Sequence, residues 1–189
     1  MSERQVVIAI DAMGGENSPL KVLKGAEIFQ KIEKNTKIVF FGNKKKIKEI
    51  IKKNNINIFN YEVENTQDAI LDDDNVSTIL RSKKNSSIYK GLEFAKNNEN
   101  SGFVSSGSTA AIMVLSRLHM GMIKGIDRPA ICSLVPNKIN FSLMLDLGAN
   151  VIVTGSNLLQ FALMGFCYYS IINKNTKPKI GILNIGTEN

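Results

Sequence analysis

Five consecutive apolar residues, Val6 to Ile10, run without a polar break into Asp11-Ala12-Met13-Gly14-Gly15. A strand with one wet face alternates polar and apolar residues. An unbroken apolar run is covered on both faces, as in a parallel sheet. Ser18 and Pro19 follow as an expected N-cap and first-turn proline. Leu20, Leu23, Ala26 and Phe29 then recur at near-helical spacing. Parallel strands need crossovers of this length, so strand, glycine turn and helix predict a layered α/β fold.

The rest of the chain repeats the pattern. Strands are expected at 38–42, 57–63 and 102–105, and helices at 44–54, 76–83, 86–97 and 108–120. Two apolar strands, 130–135 and 142–147, read as a hairpin turning at Pro136-Asn137. A strongly apolar helix over 157–172 and a last strand over 179–185 complete the order. The expectation is a single α/β domain over 1–189, with a mostly parallel sheet and helices on both faces.

Composition narrows the function. At 43% hydrophobic and 22% charged, the chain has the make-up of a globular protein. Its net charge of +7 comes chiefly from lysine, and lysine, asparagine and isoleucine are all abundant, as A/T-rich codons would give. There is no Trp and no arginine cluster, so nucleic-acid binding is not expected. Cys132 and Cys167 lie in apolar runs and read as buried thiols. A single histidine and no Cys-x-x-Cys exclude an ordinary zinc site, and no metal is expected. His119 falls at a helix end, where a cation is favourable, and reads as structural. The run Asp72-Asp73-Asp74 lacks calcium-loop spacing and reads as surface. No signal peptide is apparent, and the 158–172 segment is too short to span a bilayer.

Ligands of open α/β sheets bind beyond the carboxyl ends of the strands. Four expected ends share one composition: Asp11 with Gly14 and Gly15; Ser105-Ser106-Gly107-Ser108-Thr109; Asp146 with Gly148 and Asn150; and Asn184 with Gly186 and Thr187. Glycine admits a ligand close to the backbone, a helix N-terminus adds partial positive charge, and hydroxyls add donors. That is the chemistry of an anion cradle. The Ser105–Thr109 segment fits best, because a helix follows directly. Arg128 reads either as an anion ligand or as a partner of Asp127 or of a helix C-terminus. Arg81, Lys83 and Lys84 read either as anion ligands or as a solvated face. No Walker loop or dinucleotide fingerprint is present.

Six segments, in order, resemble the bacterial acyl-ACP:phosphate acyltransferase family. They are Ile-Asp-Ala-Met-Gly-Gly at 10–15, Arg-Ser-Lys-Lys-Asn-Ser-Ser at 81–87, Val-Ser-Ser-Gly-Ser-Thr-Ala-Ala at 104–111, Gly-Ile-Asp-Arg-Pro-Ala at 125–130, Leu-Asp-Leu-Gly-Ala-Asn at 145–150 and Leu-Asn-Ile-Gly-Thr-Glu at 183–188. The resemblance implies a fold like that of phosphotransacetylases and isocitrate dehydrogenase-like proteins. It implies transfer of a fatty acyl group from acyl carrier protein to inorganic phosphate. The acyl phosphate product would pass to a glycerol-3-phosphate acyltransferase at the membrane. It further implies a homodimer, no organic cofactor, and a cytoplasmic protein peripheral to the inner face of the membrane. On this reading Ser105, Gly107, Ser108 and Thr109 hold phosphate and Arg128 is a second anion ligand. Asp11, Gly14, Gly15, Arg81, Gly148, Gly186 and Thr187 line the substrate site. Asp146, Asn150 and Asn184 are the candidates for catalytic work.

Two departures stand out. The family usually has Ser-Ala-Gly-Asn-Thr-Gly where this chain has Ser105-Ser106-Gly107-Ser108-Thr109-Ala110. After Asn150 the family usually has acidic and cysteine residues, where this chain has Val151-Ile152-Val153. Family members also continue well beyond the last motif. The chain is therefore expected to be the N-terminal portion of the family domain, and inactive by itself. Two rival readings remain: a phosphotransacetylase-like acyl-CoA:phosphate transferase, and a non-catalytic assembly protein that dimerises through the 158–172 helix.

Overall fold

The computed structural model describes residues 5–71, 74–174 and 177–183. Where the sequence showed no boundary, contacts divide the chain after Gly121 into two compact units. The first unit runs β1 (Val7–Asp11), α1 (Leu20–Ile32), β2 (Lys37–Gly42), α2 (Lys44–Lys53), β3 (Tyr61–Asn65), α3 (Val76–Ser82), α4 (Ser87–Asn97), β4 (Ser101–Val104) and α5 (Thr109–Met120). Its sheet has the order β3-β2-β1-β4, with every neighbouring pair parallel. Asp11 ends β1 opposite Phe41 of β2, and Ile10 lies between Phe40 and Val104.

The β2 run is buried on both faces, as a parallel sheet requires, while β1 buries Ala9 and Asp11 and leaves its other residues half-buried. In β2, Ile38 and Phe40 join Leu23 and Ala26 of α1 and Ile47 of α2. Val39 and Phe41 turn the other way, packing with Ala9 and with Phe94 of α4. A second cluster on α3, α4 and α5 is centred on Ile79, Ile88, Leu92, Ala111 and Leu115.

The second unit holds a hairpin, β5 (Cys132–Pro136) and β6 (Phe141–Leu145), and the long helix α6 (Gly155–Ile172). Thr154 and Asn157 form a capping box at the start of α6. Among the described residues, no helix is long and apolar enough to cross a membrane.

The structure departs from the sequence reading at several points, each with a local cause. Ser18 does not cap α1; its hydroxyl donates to the Gly14 carbonyl, and Pro19 takes the cap position. β3 starts at Tyr61, not residue 57. The amides of Asn57 and Phe59 are taken by the side chains of Glu27 and Gln30 on α1, so they cannot enter the ladder. The hairpin turns at 137–140, and Pro136 remains paired with Phe141. Asn137 Oδ1 accepts the amides of Ile139 and Asn140 and so closes the loop. Residues 179–183 join neither sheet, because an apolar run is no strand without a hydrogen-bonded neighbour; residues 184 and 185 lie outside the described residues. Both cysteines are exposed, not buried. All of β5 is exposed, and α6 buries only Asn157 and Phe161.

Candidate anion-binding crevice

The chain leaves β1 towards β2 and returns on its other side at β4. The loops after β1 and β4 therefore part company at the topological switch point, where open α/β sheets bind ligands. Two of the glycine-bearing segments meet there. Asp11, 1% exposed, holds them together. Its Oδ1 accepts the amides of Met13 (3.0 Å) and Gly14 (3.1 Å), and its Oδ2 accepts the Ser105 hydroxyl at 2.7 Å. Ser105 Oγ in turn accepts the Gly107 amide at 3.0 Å. The Gly14 carbonyl receives the Ser106 hydroxyl at 3.0 Å and that of Ser18.

Close approach explains the glycines. Gly15 sits at φ +82°, where a side chain is strained, and an added Cβ would lie 2.7 Å from the Ser106 carbonyl oxygen. At Gly14 an added Cβ would lie 2.2 Å from Asp11 Oδ2.

Ser108 caps α5: its Oγ accepts the Ala111 amide (3.4 Å) and its carbonyl accepts the Ile112 amide (3.0 Å). The amides of Thr109 and Ala110 have no partner among the described residues, and both residues are exposed. Two open amides at the positive end of a helix, with the Ser108 and Thr109 hydroxyls beside them, suit an anion. The structure also divides the work. The Ser105 proton is committed to Asp11, so Ser105 braces the loop, while Ser108 keeps its proton for donation.

Arg81 is exposed on α3, and Lys84 is exposed after it. Lys83 is tied to Asp74 at 3.3 Å and to the Ala69 carbonyl at 3.0 Å. In the second unit, Asp146 follows an antiparallel strand, so its loop is not an end of the parallel sheet. Its Oδ1 accepts the amides of Ile131 (3.0 Å) and Ala149 (3.3 Å), and its Oδ2 accepts both the amide (2.8 Å) and the side-chain Nδ2 (2.9 Å) of Asn150. Asn150 Nδ2 also reaches the Pro129 carbonyl at 2.9 Å. Gly148, at φ +81°, donates its amide to the Asp146 carbonyl and completes this turn. Arg128 donates to the Ile152 carbonyl at 3.0 Å, while Asp127 pairs with Gln160. Asn184, Gly186 and Thr187 lie outside the described residues.

Of the groups whose titration is shifted, Asp146 and His119 bear on the readings above. Burial opposes ionisation of Asp146. The donors from the Asn150 side chain and the amides of Ile131, Asn150 and Ala149 together outweigh it and hold the carboxyl below its ordinary range. His119 is 8% exposed, packs edge-on to Tyr89 at 4.4 Å, and has no partner for Nε2 among the described residues. Burial, with Lys96 and Lys90 nearby and Glu93 opposing, pushes its value down. It is therefore structural as expected, but as a neutral ring and not as a helix-end cation.

Both groups bind protons more readily in the unfolded chain, so both remove stability as pH falls. For Asp146 the stabilising contribution is full above the ordinary aspartate value of 3.8 and is lost as pH falls through its lower folded value. For His119 the loss begins below the ordinary value of 6.5. Urea midpoints should therefore decline between about pH 7 and 5. His119→Phe, which keeps a ring against Tyr89, should flatten that decline; an unchanged slope would sink the assignment.

Sequence reasoning did not single out Ser106 as a bracing donor, nor Thr66, a buried hydroxyl just after β3. Ser106 lies within the Val-Ser-Ser-Gly-Ser-Thr-Ala-Ala segment at 104–111. Thr66 follows a strand without a glycine, so it gave no signal.

An all-parallel α/β sheet with hydroxyl-rich glycine loops stapled at its switch point defines a class of proteins that bind anionic ligands at strand ends. Comparison with known proteins narrows this. Residues 6–189 match the family described as "Fatty acid synthesis protein", and the chain belongs to that family. It is 36% identical over 183 residues to a phosphate acyltransferase of Pelagibacter ubique, covering 97% of this chain and 54% of the relative. It is 40% identical over 187 residues to one of Wolbachia pipientis subsp. Culex pipiens, with the same coverage. It is 39% identical over 181 residues to one of Caldicellulosiruptor bescii, covering 96% of this chain and 54% of the relative. The chain thus spans about half the length of the curated relatives it matches.

Proposed function

We propose that this chain supplies the phosphate-binding half of an acyltransferase that moves a fatty acyl group from acyl carrier protein to inorganic phosphate. The observation that carries the reading is the Asp11-stapled pair of loops, which leaves the Thr109 and Ala110 amides open beside two hydroxyls. The relatives' name, phosphate acyltransferase, supports it.

The chemistry suits such a site. A phosphate oxygen attacks the thioester carbonyl carbon; a C–O bond forms and the C–S bond breaks. The proton of the hydrogen phosphate passes to the departing thiolate, so acyl phosphate and free thiol result. Phosphate is already anionic near neutrality, so positioning and charge stabilisation matter more than a strong base. The donors on α5 and the two loops hold the nucleophile. Asp146, Asn150, Arg128 and Arg81 remain candidates for orienting the thioester or its anion, together with Asn184, Gly186 and Thr187. The homodimer, membrane-surface association and hand-over to a glycerol-3-phosphate acyltransferase belong to the same reading and rest on family likeness.

The test is an amide-resolved titration of the 189-residue chain with phosphate against chloride at equal ionic strength. The Thr109 and Ala110 signals should move with phosphate. Ser108→Ala should weaken binding roughly tenfold, the loss of one charge-assisted hydrogen bond. It should also lower stability by about 1 kcal/mol through the lost cap. Phosphate that leaves the α5 amides unmoved would overturn the reading. In the full-length relative, exchanging acyl-ACP for acyl-CoA as donor separates this reading from a phosphotransacetylase.

A further inference from the structure

Beside the crevice, at the carboxyl ends of β2 and β3, lies a polar groove of about 360 Å³. It is lined by Phe41, Glu64, Asn65, Thr66, Gln67, Asn85 and Lys90. Thr66 is 5% exposed, and its Oγ1 is buried with no hydrogen-bond partner among the described residues. A buried hydroxyl left unpaired is destabilising, and so it calls for a partner that the protein itself does not supply. Around it stand side-chain amides. Asn65 Oδ1 accepts the Lys44 amide at 3.0 Å, which leaves its NH2 group to donate. The Gln67 and Asn85 side chains are exposed, while the Gln67 amide and Asn85 carbonyl lock the floor at 3.2 Å. At the rim Lys90 Nζ is paired with Glu93 at 2.8 Å, and Glu64 adds a carboxylate to the lining.

We propose that this groove receives the pantetheine arm of the acyl donor, an inference that rests on the acyl-transfer reading above. The arm is a chain of two secondary amides and a hydroxyl-bearing carbon. Each amide presents one donor and one acceptor, which carboxamide side chains match in pairs. Position favours the same ligand. Thr66 of the groove follows β3 and the α5 amides follow β4, so the two sites lie three strand spacings apart along the same carboxyl edge, about 14 Å, a span that calls for an extended ligand. An arm lying in the groove would bring its thioester end to the phosphate without crossing the sheet. Coenzyme A and holo-acyl carrier protein both carry this arm, and the groove reads the chemistry they share.

The experiment uses pantetheine without its phosphate, so that the crevice is not filled by the probe. In amide-resolved spectra of the 189-residue chain, pantetheine should shift Thr66, Gln67 and the side-chain amides of Asn65 and Asn85. The Thr109 and Ala110 signals should stay in place. Thr66→Val keeps the shape and removes the hydroxyl. It should weaken pantetheine roughly tenfold and at the same time raise the melting temperature of the free chain. Asn85→Ala should weaken binding without changing melting. Unmoved groove signals, or a Thr66→Val chain that binds as tightly as the parent, would overturn the groove while leaving the phosphate reading intact. Groove signals that respond to pantetheine while phosphate leaves α5 untouched would do the reverse. Coenzyme A and holo-acyl carrier protein as further arms tell which source of the arm the groove accepts.

Discussion

Asp11→Ala should lower the stability of the first unit by about 3 kcal/mol, a large part of the margin of a small domain. The change leaves the amides of Met13 and Gly14 and the Ser105 hydroxyl without their acceptor, at a site where Asp11 is 1% exposed. Water cannot readily replace a buried acceptor, so the penalty approaches desolvation of the donors and not merely their lost bonds. Asp11→Asn should cost only about 1 kcal/mol, because Oδ1 keeps the two amides. Its new NH2 group would donate to Ser105 Oγ, which still has a lone pair to accept it, and the Ser105 proton would be released. In the structure that proton faces Asp11 at 2.7 Å. Asp11→Asn should therefore retain phosphate binding at the α5 amides, whereas Asp11→Ala should lose it even in the folded fraction, because the β4 loop is no longer tied to β1. Chemical denaturation followed by circular dichroism, with phosphate titration of each variant, checks both. An alanine variant within about 1 kcal/mol of the parent would show that the staple is incidental.

Much of this arrangement was legible before any coordinates. The unbroken apolar runs at 6–10 and 38–41 fixed a buried parallel sheet, because such runs leave no face for water. The segments after β1 and β4 stand out in the sequence among four strand ends of like composition, but composition does not say which two meet. What the sequence could not show is which atoms are already spent. Ser105 reads as a phosphate donor until its proton is seen on Asp11. Asp146 reads as a reactive carboxyl until its four donors from residues 131, 149 and 150 are counted. His119 lies at a helix end, which argues for charge. Burial against Tyr89 decides otherwise, and burial is a property of the fold and not of the neighbours in sequence. The start of β3 was misplaced for a similar reason. Residues 57–60 have strand-like composition, but α1 reaches across with Glu27 and Gln30 and takes the amides of Asn57 and Phe59.

Gly14→Ala should lower stability by about 3 kcal/mol or more. The new Cβ would lie 2.2 Å from Asp11 Oδ2, and 2.8 Å from both Cα and N of Gly107. The carboxyl can swing away, but only by releasing Ser105 and the two amides it holds. Gly107 cannot yield, since its amide is fixed to Ser105 Oγ at 3.0 Å. The β1 and β4 loops must therefore separate. Gly25→Ala is the matching control: Gly25 lies inside α1 with nothing within 4 Å of an added Cβ. There the same methyl should stabilise by about 0.5–1 kcal/mol through helix propensity. The two parts of the Gly14 effect can be separated in a double-mutant cycle with Asp11→Ala. Removing the carboxyl relieves the closer clash, so the double variant should lose less than the sum of the two single losses. The clash with Gly107 persists, so it should still be less stable than Asp11→Ala alone. A strictly additive cycle would mean that Gly14 and Asp11 do not touch within the β1 loop, and the geometry of the phosphate cradle would have to be rebuilt.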